Sequence, residues 1–204
     1  GTEPFDTASR DGDVNFREIP VEIEAVDLRY SAKGYDATAI QKDRNSQIPI
    51  DRLREYEENA VIGKLNSAWW SLSSYIPNAQ TVAENLAPKL SERLARYEIN
   101  AAILIPASRL CHQTLGIIAR NIEQNGIPTI VVSVDKMMTE LARPPRTAYY
   151  DGELGSVVGP ADWPEFQRRV LDETLRTMET YDQPGARKLG VHMESKVEAA
   201  RGER

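Results

Sequence analysis

The sequence predicts an α/β protein, a Rossmann- or flavodoxin-like domain built on a short, mainly parallel sheet. Three observations carry this prediction: an apolar run at 100–106, a run rich in β-branched residues at 129–134, and a helical pattern between them. Apolar runs without alternation are typical of strands covered on both faces. Strands that alternate with helices form βαβ units with right-handed crossovers. A further candidate strand covers 147–150.

Residues 1–60 predict an irregular entry segment with a short helix packed on the core. They are mostly polar; 21–30 alone has an extended pattern, and the charged stretch 50–58 predicts the helix. Because a long irregular entry is unusual in a compact domain, the sequence leaves open whether residues upstream of Gly1 were cleaved or omitted.

Residues 61–180 predict the α/β domain itself. Its first helix, 81–97, has apolar residues four apart, and Pro88 is expected to kink or break it. The helix after the first parallel strand ends at Asn125-Gly126, a favourable C-terminal pair. A short helix is predicted at 135–142.

The last predicted helix begins at Asp162-Trp163-Pro164-Glu165. We expect Asp162 to be its N-cap, with proline in the first turn and Glu165 three residues after the cap. Beyond Tyr181 the chain is rich in Gly, Glu and Arg and has no strong period. Residues 181–204 are therefore predicted to be a polar tail, or an arm across a partner subunit.

Composition narrows the class of function. The 204 residues are 41% hydrophobic and 27% charged, which is ordinary for a soluble globular protein. A net charge of −6 and the lack of a basic stripe argue against a nucleic-acid partner. No apolar run is long enough to span a membrane. A single cysteine forms no internal disulfide, which fits a reducing, cytoplasmic compartment. One cysteine and two histidines without ligand spacing predict no metal site.

The segment 106–114 is the strongest candidate for a functional site. It contains the chain's one cysteine, Cys111, next to His112, between a predicted strand and a predicted helix. Free N–H groups and the helix dipole at such a position favour a reactive thiolate. The alternative is structural: Cys111 is a small buried residue at the third helical position, and Ser108 is the N-cap. The spacing alone leaves both open.

The predicted topology favours a site at this position. In parallel sheets, ligands bind past the carboxyl ends of the strands. The segments 108–112, 135–136 and 151–152 each follow a predicted strand and are expected to converge there. The glycines at 155 and 159 fit either an anion-binding loop or an ordinary turn.

Candidate roles follow for the residues around Cys111. His112 can add positive charge or move a proton, but it lies about 100° around the helix from Cys111, so a Cys–His pair and a separate donor both stay open. Arg109 either binds a substrate carboxylate or is solvated. Gln113 and Thr114 complete the predicted substrate-binding residues.

Several blocks of the sequence, in order, resemble the selenoprotein B family of the glycine, sarcosine, betaine and D-proline reductases. In that family the segment matching 108–113 has selenocysteine or cysteine, two residues, and then Cys-His-Gln. The blocks are Gly12-Asp13-x-x-Phe16-Arg17-Glu18-Ile19-Pro20, Ile48-Pro49-x-Asp51-Arg52-Leu53, Val61-Ile62-Gly63, Ser108-x-x-Cys111-His112-Gln113-Thr114-x-Gly116 and Gly126-Ile127-Pro128-Thr129.

The resemblance implies a thiol- or selenol-type reductase component acting on a small amine or amino-acid-like substrate. It implies that Cys111 is the reactive thiol and that Ser108 and His112 are catalytic neighbours. It also implies a thiol reductant and either a homo-oligomer or a companion reductase subunit. The one cofactor it suggests is a pyruvoyl group, on a companion or on an upstream processed chain.

The chain departs from the family at Ser108, which occupies the selenocysteine or cysteine position. A serine hydroxyl is not ionised near neutral pH without a base, and it forms no disulfide. Either Ser108 is native and Cys111 works with an external resolving thiol, or the serine is a substitution. A third interpretation is a non-catalytic binding or partner subunit that keeps the fold. A processed, pyruvoyl-type enzyme chain using the same site is a further alternative.

Overall fold

The structure, a computed structural model, describes residues 2–192. Two groups of strands and a series of helices make up this part of the chain. The strands are β1 (Phe16–Pro20), β2 (Ala68–Leu72), β3 (Ala102–Leu104), β4 (Thr129–Ser133), β5 (Arg146–Tyr149) and β6 (Gly185–Lys188). The helices are α1 (Thr38–Lys42), α2 (Ile50–Glu58), α3 (Ala79–Thr81), α4 (Ala87–Arg96), α5 (Arg109–Gln124), α6 (Lys136–Ala142) and α7 (Pro164–Thr180), with short 3₁₀ turns at Ala25–Asp27 and Arg44–Ser46.

The main sheet confirms the predicted α/β class. Its four strands lie in the order β3-β4-β5-β6, and every neighbouring pair is parallel. Leu104 lies opposite Val131, and Ser133 lies opposite Tyr149. A short, wholly parallel sheet flanked by helices is compatible with a Rossmann- or flavodoxin-like domain.

Both faces of the sheet are covered, which explains the apolar runs. All five residues of β4 are buried. Val131 packs in a cluster with residues of α4 and α5, whereas Ile130 and Val132 pack in a second cluster with residues of α7. Successive side chains of a strand point to opposite faces, so α4 and α5 lie on one face of the sheet and α7 lies on the other.

The break predicted at Pro88 is present as a π-helical turn. α3 continues through this turn, Val82–Leu86, directly into α4. Proline has no N–H, and its ring clashes with the carbonyl four residues earlier in a regular helix. A π turn, with its longer hydrogen-bonded loop, accommodates this without ending the helix.

The extended segment expected at 21–30 is wrong. The strand in this region is β1, which pairs antiparallel with β2, so that Phe16 lies opposite Leu72 and Pro20 opposite Ala68. A strand requires a partner, and pairing ends at Pro20, which has no N–H for the ladder. Residues 21–30 contain instead the single 3₁₀ turn Ala25–Asp27.

The expected N-cap of the last helix is also wrong. α7 begins at Pro164, and its N-cap is Trp163 rather than Asp162. Asp162 has a left-handed backbone, with φ of 57°, and its carboxylate pairs with Lys42 at 2.6 Å. The helix therefore begins one residue later than expected, and the N-cap side chain, Trp163, makes no capping hydrogen bond.

The segment after residue 181 contains β6, where the sequence predicted no regular element. β6 extends the sheet by pairing with β5. Residues 193–204, which complete the predicted tail, lie outside the described residues. Within residues 2–192, no helix is long and apolar enough to cross a membrane.

Candidate thiol site

Ser108 is the N-cap of α5. It has an extended backbone, with φ of −126° and ψ of 170°, and its Oγ accepts the N–H of Cys111 at 3.2 Å. This is the capping geometry that stabilises the first turn of a helix. Cys111 is therefore the third helical residue, as the spacing predicts.

The sulfur of Cys111 is buried among oxygen atoms. Its residue is 9% exposed, and its Sγ lies 3.2 Å from Ser108 Oγ and 3.7 Å from the carbonyl oxygen of Ser74. Ser108 Oγ also lies 3.0 Å from the same Ser74 oxygen and can donate its proton to it. The thiol thus has polar neighbours and helix N–H groups close by, although little of it is open to solvent.

His112 is a buried neutral imidazole with one nitrogen unpartnered. It is 1% exposed, and its Nδ1 lies 2.8 Å from the carbonyl oxygen of Ser108. Because a carbonyl only accepts, Nδ1 carries the proton and Nε2 carries the lone pair. Among the described residues, Nε2 has no hydrogen-bond partner. Burial lowers the pKa of His112 below 6.5, against the opposing effects of Ser108 and Asp135, so the ring is neutral near pH 7.

A segment from the entry region covers this site. We call residues 33–36 the covering segment. A Cβ placed on Gly34 would lie 3.7 Å from the Ser108 Cβ, and one placed on Gly155 would lie 2.9 Å from Cδ2 of Tyr35. The Gly155 N–H in turn donates to Ala107 at 3.0 Å. Tyr35 therefore lies beside the loop that carries Gly155, which is itself bonded to the residue before Ser108.

Tyr35 is the site residue that sequence reasoning missed. Burial raises its pKa to about 12, with smaller contributions from the nearby Cys111 and Tyr30. Its phenol is accordingly a neutral O–H donor at all ordinary pH values. No local pattern connects Tyr35 with Cys111, since they lie far apart in the chain.

The predicted substrate-binding residues differ in accessibility. Arg109 is 67% exposed along its side chain, and its Nε lies 3.2 Å from Oδ2 of Asp135. Gln113 is partly buried and Thr114 is buried. The loops after β3 and β4 therefore meet, as expected. Asp151, in the third predicted loop, pairs with Lys188 of β6 at 2.8 Å.

The glycine loop at 155–159 is an ordinary turn. All five of its N–H groups donate within the protein, so none is free for an anion. The acceptors are Ala107 O at 3.0 Å, Glu153 O at 3.3 Å, Gln47 Oε1 at 3.1 Å, Ser46 O at 2.8 Å and Ser156 O at 2.9 Å.

Neither a cluster of metal ligands nor the surface cavity between α5 and α6 coincides with the thiol site in the described residues. Within residues 2–192, no group of three or more His, Cys, Asp or Glu side chains is placed to hold a metal ion. A shallow surface cavity of about 410 Å³ lies between α5 and α6, lined by Arg120 and residues 140–143. None of the predicted site residues lines it, so its size says nothing about the thiol.

Fold and site together define a parallel α/β protein with a single buried thiol at a strand-to-helix turn. The model of the glycine/sarcosine/betaine reductase selenoprotein B family matches residues 21–107. This match confirms the resemblance predicted from the sequence. It ends directly before Ser108, so it does not extend to the roles of residues 108–114.

Curated relatives have the same character. The chain is 26% identical over 167 residues to D-proline reductase subunit gamma of Acetoanaerobium sticklandii, covering 82% of this chain and 69% of that protein. It is 33% identical over 102 residues to glycine reductase complex component B subunit gamma of Symbiobacterium thermophilum, covering 48% of this chain and 23% of that protein. Sarcosine reductase complex component B subunit beta of Peptoclostridium acidaminophilum is 30% identical over 100 residues, covering 48% and 22%. The chain thus spans less than a quarter of the last two relatives. No solved structure matches it.

Proposed function

We propose that this chain is a component of a reductase complex that acts on a small amine or amino-acid-like substrate, with Cys111 as the reactive thiol. The observation that carries the proposal is the contact between Ser108 and Cys111. Oxygen and sulfur lie 3.2 Å apart at the first turn of α5, in a chain similar to named D-proline and glycine reductase subunits.

The geometry fits a redox pair in which one partner has been replaced by oxygen. Two thiols that become a disulfide release two electrons and two protons, the quantity that reductive cleavage of one substrate bond consumes. Cys111 supplies one of these sulfurs. Ser108 supplies none, so the second comes from an external thiol reductant, through a mixed disulfide that a further thiol then resolves.

The neighbouring residues have separate tasks. The unpartnered Nε2 of His112 can accept the proton released when the thiol or a bound substrate reacts. Arg109, exposed beside the site, can pair with a substrate carboxylate. Gln113 and Thr114 form the adjoining part of the helix surface.

The proposal includes a companion subunit, since the relatives are named as components or subunits of reductases. A homo-oligomer is the alternative assembly. The cytoplasmic location stays a prediction. A pyruvoyl carbonyl would belong to the companion or to an upstream processed chain. Gly1 lies outside the described residues, and no step above passes through that group.

A second candidate is a non-catalytic partner subunit that keeps the fold. The burial of Cys111 and its place beneath the Ser108 cap favour this alternative, because a buried cysteine is usually inert. The two candidates differ in whether the thiol reacts at neutral pH.

Alkylation and turnover together distinguish these candidates. Under the proposal, iodoacetamide modifies Cys111 in the folded chain at pH 7, whereas a thiol kept inert by burial reacts only after unfolding. In a complex reconstituted with its companion subunits and a dithiol, Cys111→Ser lowers reduction of D-proline or glycine by about 100-fold or more, as expected for loss of a nucleophile. Ile117→Val, on the same helix, is the matched control. Full turnover by Cys111→Ser with an intact fold would instead support the partner subunit.

A further inference from the structure

We propose that Tyr35, with the covering segment 33–36, determines which molecules reach the sulfur of Cys111. The inference rests on the proposed function only in treating Cys111 as the reactive group. Tyr35 would act as a specificity-determining residue: its ring closes the approach to the thiol, and movement of the segment opens it.

The covering segment lies directly over the start of α5. A Cβ added to Gly34 would meet the Ser108 Cβ at 3.7 Å, and one added to Gly155 would lie 2.9 Å from the Tyr35 ring. Gly155 is itself fixed to the residue before Ser108, through its hydrogen bond to Ala107. The covering segment therefore lies against the first turn of α5, where Tyr35 is near enough to feel the charge of Cys111 and the cysteine keeps only 9% of its surface exposed.

Polar contacts hold the two ends of the segment. At one end, the Lys33 N–H donates to Ser74 Oγ at 3.0 Å, and its ammonium lies 3.7 Å from the centroid of the Tyr75 ring. At the other end, Asp36 Oδ1 accepts the N–H and the hydroxyl of Thr38, at 2.9 and 2.6 Å. Between them Gly34 has φ of 83°, a conformation that favours glycine.

The fit against Gly155 is tight. A Cβ at Gly155 would lie only 2.2 Å from the carbonyl oxygen of Asp36, besides meeting the Tyr35 ring. The segment closes fully because this position has no side chain. Local displacement of a short segment costs far less free energy than global unfolding, so the cover can open while the sheet stays intact.

A second observation is an unused hydrogen-bond acceptor on the residue next to Cys111. His112, one residue from Cys111, keeps an unprotonated and unpartnered Nε2 although it is 1% exposed. Leaving a buried acceptor unsatisfied is energetically unfavourable. A ligand that offers an N–H or O–H donor to this nitrogen would remove that cost.

The test compares two thiol reagents of different size, iodoacetamide and N-phenylmaleimide. Tyr35→Ala is expected to raise the rate of Cys111 modification by N-phenylmaleimide about tenfold or more, and that by iodoacetamide less than about threefold, because the larger reagent needs the wider opening. Tyr35→Phe keeps the ring, so both rates should stay within about twofold of wild type. Urea unfolding of each variant separates local opening from lost stability.

Glycine variants provide a second test of the covering segment, one that leaves Tyr35 in place. Gly155→Ala should push the segment outward and raise the same rate ratio. Gly63→Ala, where a Cβ would meet nothing within 4 Å, is the matched control and should leave it unchanged. Should Tyr35→Ala fail to fold, Gly155→Ala and Lys33→Met answer the same question.

The inference is overturned if N-phenylmaleimide modifies the wild-type chain as fast as a small peptide thiol. It is equally overturned if the rate ratio is unchanged in the folded Tyr35→Ala and Gly155→Ala variants. Its failure is distinct from failure of the proposed function: a widened approach together with full turnover by Cys111→Ser keeps the cover and removes the reductase role.

Discussion

Two polar clusters in this molecule use their hydrogen-bonding groups in opposite ways. In the first, the Glu18 carboxylate of β1 accepts from Arg93 Nε at 2.6 Å and Nη2 at 3.0 Å, from Trp70 Nε1 at 3.1 Å and from the hydroxyl of Tyr97. This cluster ties the two-stranded sheet to α4. In the second, at the start of α5, the His112 ring is uncharged and keeps an acceptor unused.

The difference separates a structural contact from a candidate site. Hydrogen bonds led by that from Arg93 lower the pKa of Glu18 to about 2, so the carboxylate stays charged and fully engaged. Burial lowers the pKa of His112 and keeps its ring uncharged. Saturated charge pairs contribute stability, whereas unused polar capacity in a buried place is typical of groups that meet a ligand.

The largest expected effect comes from restoring sulfur at the cap. Ser108→Cys should form an internal disulfide with Cys111 under mild oxidation, because the side chains already touch and the spacing fits disulfide geometry. Thiol counting should fall from two free thiols to none, and mass spectrometry should find the linked peptide. A Ser91→Cys variant, with its hydroxyl bonded to Asn121 instead, should keep both thiols free. Two free thiols in oxidised Ser108→Cys would contradict the geometry of the site.

The structural cluster should respond next most strongly. Glu18→Gln removes the charge that Arg93 opposes and is expected to lower the free energy of unfolding by about 1–2 kcal/mol, reduced from a fully buried pair because both side chains are partly exposed. Denaturant titration measures this. The control is Glu92→Gln, which breaks the exposed pair with Arg96 and should cost less than about 0.5 kcal/mol. Equal effects of the two variants would remove the distinction drawn above.

Acid should destabilise the protein in two separate windows. His112 has a pKa lowered from 6.5, so the unfolded chain binds its proton first; stability is complete above that value and falls as pH drops below it. The pKa of Glu18 is lowered from 4.5 to about 2, so its contribution is lost as pH falls from 4.5 towards 2. Unfolding free energies measured across pH should show both slopes.

Two substitutions identify which residues produce these slopes. His112→Gln, which can still donate to Ser108, should flatten the upper slope alone. Glu18→Gln should reduce the lower slope without removing it, since the pKa values of Asp43 and Asp51 are also lowered. His192→Gln is the control for histidine in general. An upper slope that persists in His112→Gln would place its origin elsewhere.

The smallest expected change in stability is at Arg109. Arg109→Ala breaks an exposed pair with Asp135 and should alter the free energy of unfolding by less than about 0.5 kcal/mol. If Arg109 binds a substrate carboxylate, KM in the reconstituted complex rises about tenfold while kcat changes little. Arg96→Ala, an equally exposed arginine, is the control. An unchanged KM would leave Arg109 as a solvated residue.

Local patterns predicted the parallel sheet well. The run of β-branched residues forms β4. Ser108 caps the start of α5, and Asn125-Gly126 follows its end, as expected. β1 and β6 were missed because neither contains a buried residue or an apolar run; what makes them strands is a partner distant in the chain. Aspartate is a preferred N-cap residue, but the left-handed backbone of Asp162 before α7 cannot be inferred from residue types.

The residues of the candidate site also fall into two groups, those that local patterns relate to one another and those that come from distant parts of the chain. Ser108, Cys111 and His112 are close in sequence, so helix geometry alone relates them. Tyr35 and Ser74 come to the thiol from other parts of the chain, and no periodicity reports such an approach. The glycine loop shows the converse, since its sequence fits an anion site until each N–H is traced to an acceptor within the protein.

The carbonyl of Ser74 has a consequence for how the molecule transmits movement. It accepts from the hydroxyl of Ser108 and lies at the far limit of contact with the sulfur of Cys111, only two residues beyond the end of β2. A neighbour that docks on the β1–β2 strand pair and tilts it would thereby stretch both contacts together.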